Sequence, residues 1–226
     1  MEQPFLKELR RVYGFDEVAI MPGEVTINPE QADPSLQIGE HNFSAPVLGA
    51  AMDATGSPEF VGEICRLGGL GVMNLEGIQV RYDNPDDALT MIAQAPQDKT
   101  TSVLQKVYSA PIKEQLIGER IKAVKESGAI CAVSFTPANT KKFAPVAVDA
   151  GLDILVVQAT VTTARHISKS PTGLRFQELV QQIPVPVVVG NCVGYGVALE
   201  LMDTGIAGLL VGVGPGATCT TREVVG

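Results

Sequence analysis

Short runs of consecutive apolar residues alternate along the chain with longer stretches that mix apolar and charged positions. The runs cover residues 46–52, 69–73, 129–135, 154–158, 185–190 and 208–212. They are continuously apolar, not alternating with polar positions. Strands read this way when both faces are buried, as in a parallel sheet covered by helices.

The mixed stretches predict helices. Ser57-Pro58-Glu59 is a start signal, with a capping hydroxyl, proline at the first helical position and an acid in the first turn. That helix runs to about Leu67 and stops at Gly68-Gly69. Asn84-Pro85-Asp86-Asp87 opens another. Residues 112–127 read as a long charged helix, and Thr136-Pro137-Ala138-Asn139 leads into one ending near Gly151. Residues 173–182 and 195–203 supply the last two.

Strand followed by helix, repeated, specifies an α/β fold with a parallel sheet. The step from the second strand to the third is about twice as long as most others and must hold an extra helix or loop. Met52-Asp53, Asn74, Gln158, Asn191-Cys192 and the segment from Gly214 to Cys219 all fall at C-terminal strand ends. A (β/α)8 TIM barrel builds its site there; a doubly wound open sheet is the alternative. Six of the eight βα units are visible. The expectation is one incomplete catalytic-barrel domain over residues 1–226, with 1–45 as a lead-in and 46–226 as units one to six. Two absent strands would leave unpaired edges, so the 226-residue chain is expected to be poorly stable and inactive alone.

Charge and residue totals narrow the partners. The net charge is −8 and Lys/Arg residues do not cluster, which argues against nucleic acid. No apolar run approaches the roughly eighteen residues of a membrane span, and the charged N-terminus does not resemble a secretory signal. The expectation is a cytoplasmic protein with no membrane partner. Cys65, Cys131, Cys192 and Cys219 form no CxxC pair, and His41 and His166 are the only histidines. Neither a zinc site nor a disulfide framework is indicated. Cys65 and Cys131 fit core packing, and Cys192 follows Asn191 at a strand end.

The richest chemistry lies in Gly212-Val213-Gly214-Pro215-Gly216-Ala217-Thr218-Cys219-Thr220-Thr221-Arg222. Glycines permit sharp turns and close backbone approach to a ligand. Successive free N–H groups form an anion nest, which lowers a thiol pKa. Thr220, Thr221 and Arg222 beside Cys219 complete a setting suited to an activated nucleophile; a glycine-rich turn carrying an inert cysteine is the plainer alternative. The spacing Gly212-x-Gly214-x-Gly216 is a poor match to a dinucleotide fingerprint, because the third correctly spaced glycine is missing.

This loop resembles the active-site loop of the IMP dehydrogenase and GMP reductase family, Gly-x-Gly-Pro-Gly-Ser-x-Cys-Thr-Thr-Arg. The resemblance extends in order through Tyr13-Gly14-Phe15-Asp16, Ala50-Ala51-Met52-Asp53-Ala54, residues 68–74 and Val189-Gly190-Asn191-Cys192-Val193. It implies that Cys219 attacks C2 of a purine nucleotide monophosphate to give a thioimidate, with Thr221 at a second catalytic position. Met52 matches a residue packing on the base, and Gly214 and Gly216 lie in the substrate loop. Asn191 matches a residue beside nucleotide and cofactor, and Gln158 stands at a cofactor position. The carbonyls of Gly214, Gly216 and Cys219 match a monovalent-cation site, K+. NAD (or NADP) is the implied cofactor, and a homo-tetramer the implied assembly of the full-length protein.

The sequence departs from the family pattern at several places. Ala217 replaces the loop serine, Leu210 a basic residue and Gln158 the aspartate of the dehydrogenases; Ala50 stands where a serine is usual. The paired CBS module, which would lie between the second and third strands, is absent. These features resemble the IMP dehydrogenase-related branch. Oxidation of IMP to XMP with NAD is the first implied function. NADPH-dependent deamination of GMP to IMP, as in GMP reductase, is the second, and a non-catalytic nucleotide-binding relative is the third.

Overall fold

The computed structural model describes residues 13, 17–165 and 173–214. The chain divides into two compact units, Pro34–Gly212 and a second made of Met1–Asp33 with Val213–Gly226.

Pro34–Gly212 holds the regular structure. A hairpin of β1 (Leu36–Ile38) and β2 (His41–Phe43) comes first. Six strands follow: β3 (Leu48–Gly49), β4 (Leu70–Asn74), β5 (Ala132–Phe135), β6 (Ile154–Gln158), β7 (Val187–Cys192) and β8 (Gly208–Val211). They pair in parallel in their chain order, β3-β4-β5-β6-β7-β8. The strands lie within or beside the six apolar runs of the sequence.

The helices are α1 (Pro58–Arg66), α2 (Pro85–Ala93), α3 (Thr100–Tyr108), α4 (Glu114–Glu126), α5 (Pro137–Asp149), α6 (Phe176–Gln182) and α7 (Tyr195–Met202). Ser57 caps α1 as expected, its Oγ accepting from Phe60 N at 3.2 Å. Asn84 precedes α2 without a side-chain cap, and the acids Asp86 and Asp87 occupy the first turn. The long step between β4 and β5 holds α2, α3 and α4. Of these, α3 carries no capping side chain and was not visible as a separate helix in the sequence.

β4, β5, β6 and β7 are buried on both faces along most of their length, and the two faces feed different clusters. Met73, Val133, Phe135, Leu155, Val157, Val187 and Val189 pack outward against Val61 of α1, Leu116, Ile117, Ile121 and Val124 of α4, and Phe143, Ala144 and Ala147 of α5. Leu70, Val72, Ala132, Ile154, Val156 and Val188 face inward and meet Ile38 and Phe43 of the hairpin. A fully buried Leu, Ile or Phe contributes roughly 1.5–3 kcal/mol, so these layers supply most of the driving force. β3 and β8, the first and last strands, both line one inner cavity, so the sheet is curled into a half-barrel. A flat doubly wound sheet is excluded.

The hairpin is an addition to the expected lead-in. Its signal was present: Leu36-Gln37-Ile38 and His41-Asn42-Phe43 alternate exposed and buried positions around Gly39-Glu40. Three-residue strands are too short for such alternation to stand out.

In the second unit, a single-turn 3-10 helix, Pro29–Gln31, begins at Asn28, whose N–H donates to Gln31 Oε1 at 3.2 Å.

Candidate functional site

Three groups of interlocking polar side chains in Pro34–Gly212 gather at the C-terminal ends of the strands. This placement follows from the sequence. A strand buried on both faces has no room for polar side chains until it leaves the layers, so Asn74, Gln158 and Asn191 come last or nearly last in β4, β6 and β7.

The first group joins β6, β7 and the residue after β8. Gln158 Nε2 donates to Asn191 Oδ1 at 3.0 Å, and Asn191 Nδ2 donates to Gly212 O at 2.9 Å. The pairing between β7 and β8 shifts between Gly190 and Cys192, leaving Asn191 outside the ladder with β8. Such a bulge re-aims the side chain it carries. The Asn191 backbone is held on both sides, its N–H by Ala159 O at 3.0 Å and its carbonyl by Thr162 N at 2.8 Å. Thr162 Oγ1 also donates to Gly190 O at 2.7 Å. Gly212 adopts φ +114°, a backbone region that favours glycine, and its N–H donates to Cys192 O at 2.8 Å.

Gln158 and Asn191 line a cavity of about 350 Å³ inside the curl. Its walls are apolar: Ala50, Ala51, Val72, Val156, Val188 and Leu210. Leu210, where the resembled family carries a basic residue, packs with the inner cluster, so no cation stands on this wall. Met52 is 56% exposed just beyond β3, free to pack on a ligand.

A second group surrounds Asp53. Asn74 Nδ2 donates to Asp53 Oδ1 at 2.9 Å, and the Tyr108 hydroxyl, at the end of α3, donates to Asp53 Oδ2 at 2.5 Å. Burial, and then the hydrogen bond to Asp53, raises the Tyr108 pKa well above the usual phenol value. Gly77 makes the arrangement possible: a Cβ there would lie 1.7 Å from Asp53 Oδ1. Arg81 anchors the same region, its guanidinium donating to Glu76 O at 3.0 Å and to the carbonyls of Tyr108 and Ala110.

A third group links β4 to α5. The Glu76 carboxylate accepts from Thr136 N, from Thr136 Oγ1 at 3.1 Å and from Asn139 Nδ2 at 2.8 Å. A negative group at a helix N-terminus satisfies its free N–H groups and its dipole.

The sequence-derived residues fall in both units. Met52, Gln158 and Asn191 lie at the strand ends of one unit. Gly214, with φ +64°, belongs to the other unit. Gly216, Cys219 and Thr221 lie outside the described residues, as does His166, so two of the three expected cation-ligating carbonyls do too. Among the described residues no group of three His, Cys, Asp or Glu is placed to hold a metal, and no helix is long and apolar enough to cross a membrane. Tyr108, Glu76 and Gly77 were missed by the sequence reading. Tyr108 carries no local signal, because its partner Asp53 is distant in the chain.

A model of the IMP dehydrogenase / GMP reductase domain matches residues 12–226. The chain is 35% identical over 224 residues to an uncharacterized oxidoreductase of Mycobacterium tuberculosis (strain ATCC 25618 / H37Rv), covering 96% of this chain and 60% of that protein. It is 23% identical over 236 residues to the inosine-5'-monophosphate dehydrogenase of Cryptosporidium parvum, covering 97% of this chain and 56% of the other. The crystal structure of an IMP dehydrogenase/GMP reductase-like protein from Corynebacterium glutamicum superposes with a TM-score of 0.84 at 34% identity, covering 92% of this chain and 56% of that one. The chain spans about 60% of the length of its mycobacterial relatives.

Proposed function

The chain belongs to the IMP dehydrogenase / GMP reductase family, and from that premise we propose that it carries the nucleophile-bearing part of a purine-nucleotide oxidoreductase. The carrying observation is the family match over residues 12–226, which takes in the loop around Cys219 with its cysteine, Thr221 and Arg222 intact. Cys219 Sγ adds to C2 of the purine ring and Thr221 assists at the same centre. Met52 packs on the base, while the backbone of Gly214 and Gly216 turns around the nucleotide. The fit of a nicotinamide cofactor rests on Gln158 and Asn191, whose neutral amides stand beside an apolar cavity of about 350 Å³. Pockets for flat rings combine apolar walls with few fixed polar groups in this way. A bound nicotinamide dinucleotide, NAD or NADP, supplies the two-electron exchange at C2.

The protein to which this chain belongs completes a (β/α)8 barrel, works as a homo-tetramer in the cytoplasm, and holds K+ on the carbonyls of Gly214, Gly216 and Cys219. Oxidation of IMP to XMP is the first reaction. GMP reduction is the second; a nucleotide-binding relative without turnover is the third, supported by Ala217, Leu210 and Gln158 against the intact Cys219 and Thr221.

The test is covalent labelling with 6-chloro-IMP, read by peptide mass spectrometry. We expect a single adduct on Cys219, suppressed by IMP and absent in Cys219→Ser. Failure to label Cys219 would leave a nucleotide-binding relative without turnover. Where labelling occurs, NADH formed from IMP, against NADPH consumed with GMP, decides the direction.

A further inference from the structure

We propose that Gly212, Asn191 and Gln158 form a hydrogen-bond relay of fixed direction, which presents Gln158 Oε1 at the cavity as an uncharged acceptor for a ring-edge N–H donor. The direction follows from one group that has no choice. The Gly212 carbonyl only accepts, so the Asn191 atom 2.9 Å from it is the amide nitrogen. Asn191 Oδ1 then faces Gln158, and the Gln158 atom 3.0 Å away must be its nitrogen. Gln158 Oε1 is what remains, and it takes no partner among the described residues. The relay cannot turn over, because the Gly212 peptide is pinned through its own N–H to Cys192 O, and the Asn191 backbone through Ala159 and Thr162.

An amide at position 158 and this placement of Asn191 are therefore a matched pair. A carboxylate there has no hydrogen to give Asn191 Oδ1 and would set two acceptors against each other. The wall around the acceptor is apolar, from Ala50, Ala51, Val156 and Leu210, so a flat ring packs on it while the acceptor sets the ring's orientation. The ligand chemistry that fits is a flat ring that offers an N–H at its edge. Building on the proposed function, two sources share it: the carboxamide of a nicotinamide, and the lactam N–H of a hypoxanthine ring.

The experiment has two arms on the same protein. Thermal melts at neutral pH compare isosteric with truncating variants. The relay predicts that Gln158→Glu and Asn191→Asp melt lower than Gln158→Ala and Asn191→Ala, by about 3 °C or more, a shift on the scale expected for about 1 kcal/mol in a chain of this size. Isosteres that melt with or above the truncations overturn the relay. Calorimetric binding then compares NAD with its 3-acetylpyridine analogue, and IMP with N1-methyl-IMP; each analogue lacks the ring-edge N–H. We expect about a tenfold loss of affinity for one of the two analogues, abolished in Gln158→Ala; the pair that responds identifies the ring. Equal affinities in both pairs, or binding of neither ring, overturn the acceptor. The Cys219 label does not depend on Gln158, so its presence or absence shows separately whether the proposed function has failed.

Discussion

At the scale of single residues, the contact between Gly77 and Asp53 is the least forgiving. A methyl group at position 77 would lie 1.7 Å from Asp53 Oδ1, so the carboxylate must leave its bonds to Asn74 and Tyr108. Gly77→Ala is expected to cost about 1–3 kcal/mol, read as a fall in urea midpoint. Adding Asp53→Ser should return part of the loss, because residues in contact are not additive. Strict additivity would show that the crowding is absorbed elsewhere. Cys131 makes a different prediction. Burial, and then the nearby Asp153 carboxylate, pushes its thiol from 9.0 up to about 12. The folded state therefore holds the proton more tightly than the unfolded chain does. The associated stability is intact below about pH 9 and is lost as pH rises toward about 12. Tyr108, also raised, acts in the same direction above its own ordinary value. The stability gap between the protein and Cys131→Ala should narrow across that range in urea titrations. A constant gap would mean the thiol titrates normally.

At the scale of elements, the β1–β2 hairpin is as much part of the core as the sheet. Phe43→Ala should cost about 3–5 kcal/mol, because Phe43 is 3% exposed and packs on the inner strand faces. A thermal shift of only a degree or two would make the hairpin peripheral. The parallel strands and most helices were legible from the chain because each is announced locally. Continuous apolar runs give buried strands, and Ser57-Pro58 gives a helix start. What was not legible depends on neighbours. Gln158 and Asn191 could each be placed at a strand end, yet their bond arises from the register of β6 on β7 and the shift at β8. Glu76 reads as a loop carboxylate until the β4–β5 pairing brings it to Thr136. Tyr108 lies in a stretch with no helix signal of its own, and only the course of α3 brings it to Asp53.

At the scale of the whole molecule, the sheet of Pro34–Gly212 has a graded interior. β4, β5, β6 and β7 are paired on both sides, whereas among the described residues β3 and β8 are paired on one side each. Amide hydrogen exchange should follow this gradient, slowest in β5 and β6 and fastest in β3 and β8, since doubly paired, buried strands open only with the global unfolding. Equal protection of β8 and β5 in exchange mass spectrometry would contradict it.

The strand order of that sheet also matters for how the protein is made. Order in space equals order in sequence, β3 through β8, so no strand waits on the ribosome for a distant partner. Each newly synthesised βα unit meets a neighbour that already exists, and at any moment a single growing border awaits the next addition. Chains are made at about 5–20 residues per second and fold from the N-terminal side. The longest interval falls between β4 and β5, while α2, α3 and α4 are being synthesised. During that interval the nascent sheet consists of β3 and β4 alone, sheltered by α1. Synthesis of residues 75–131 is therefore the longest stretch over which the growing sheet gains no strand.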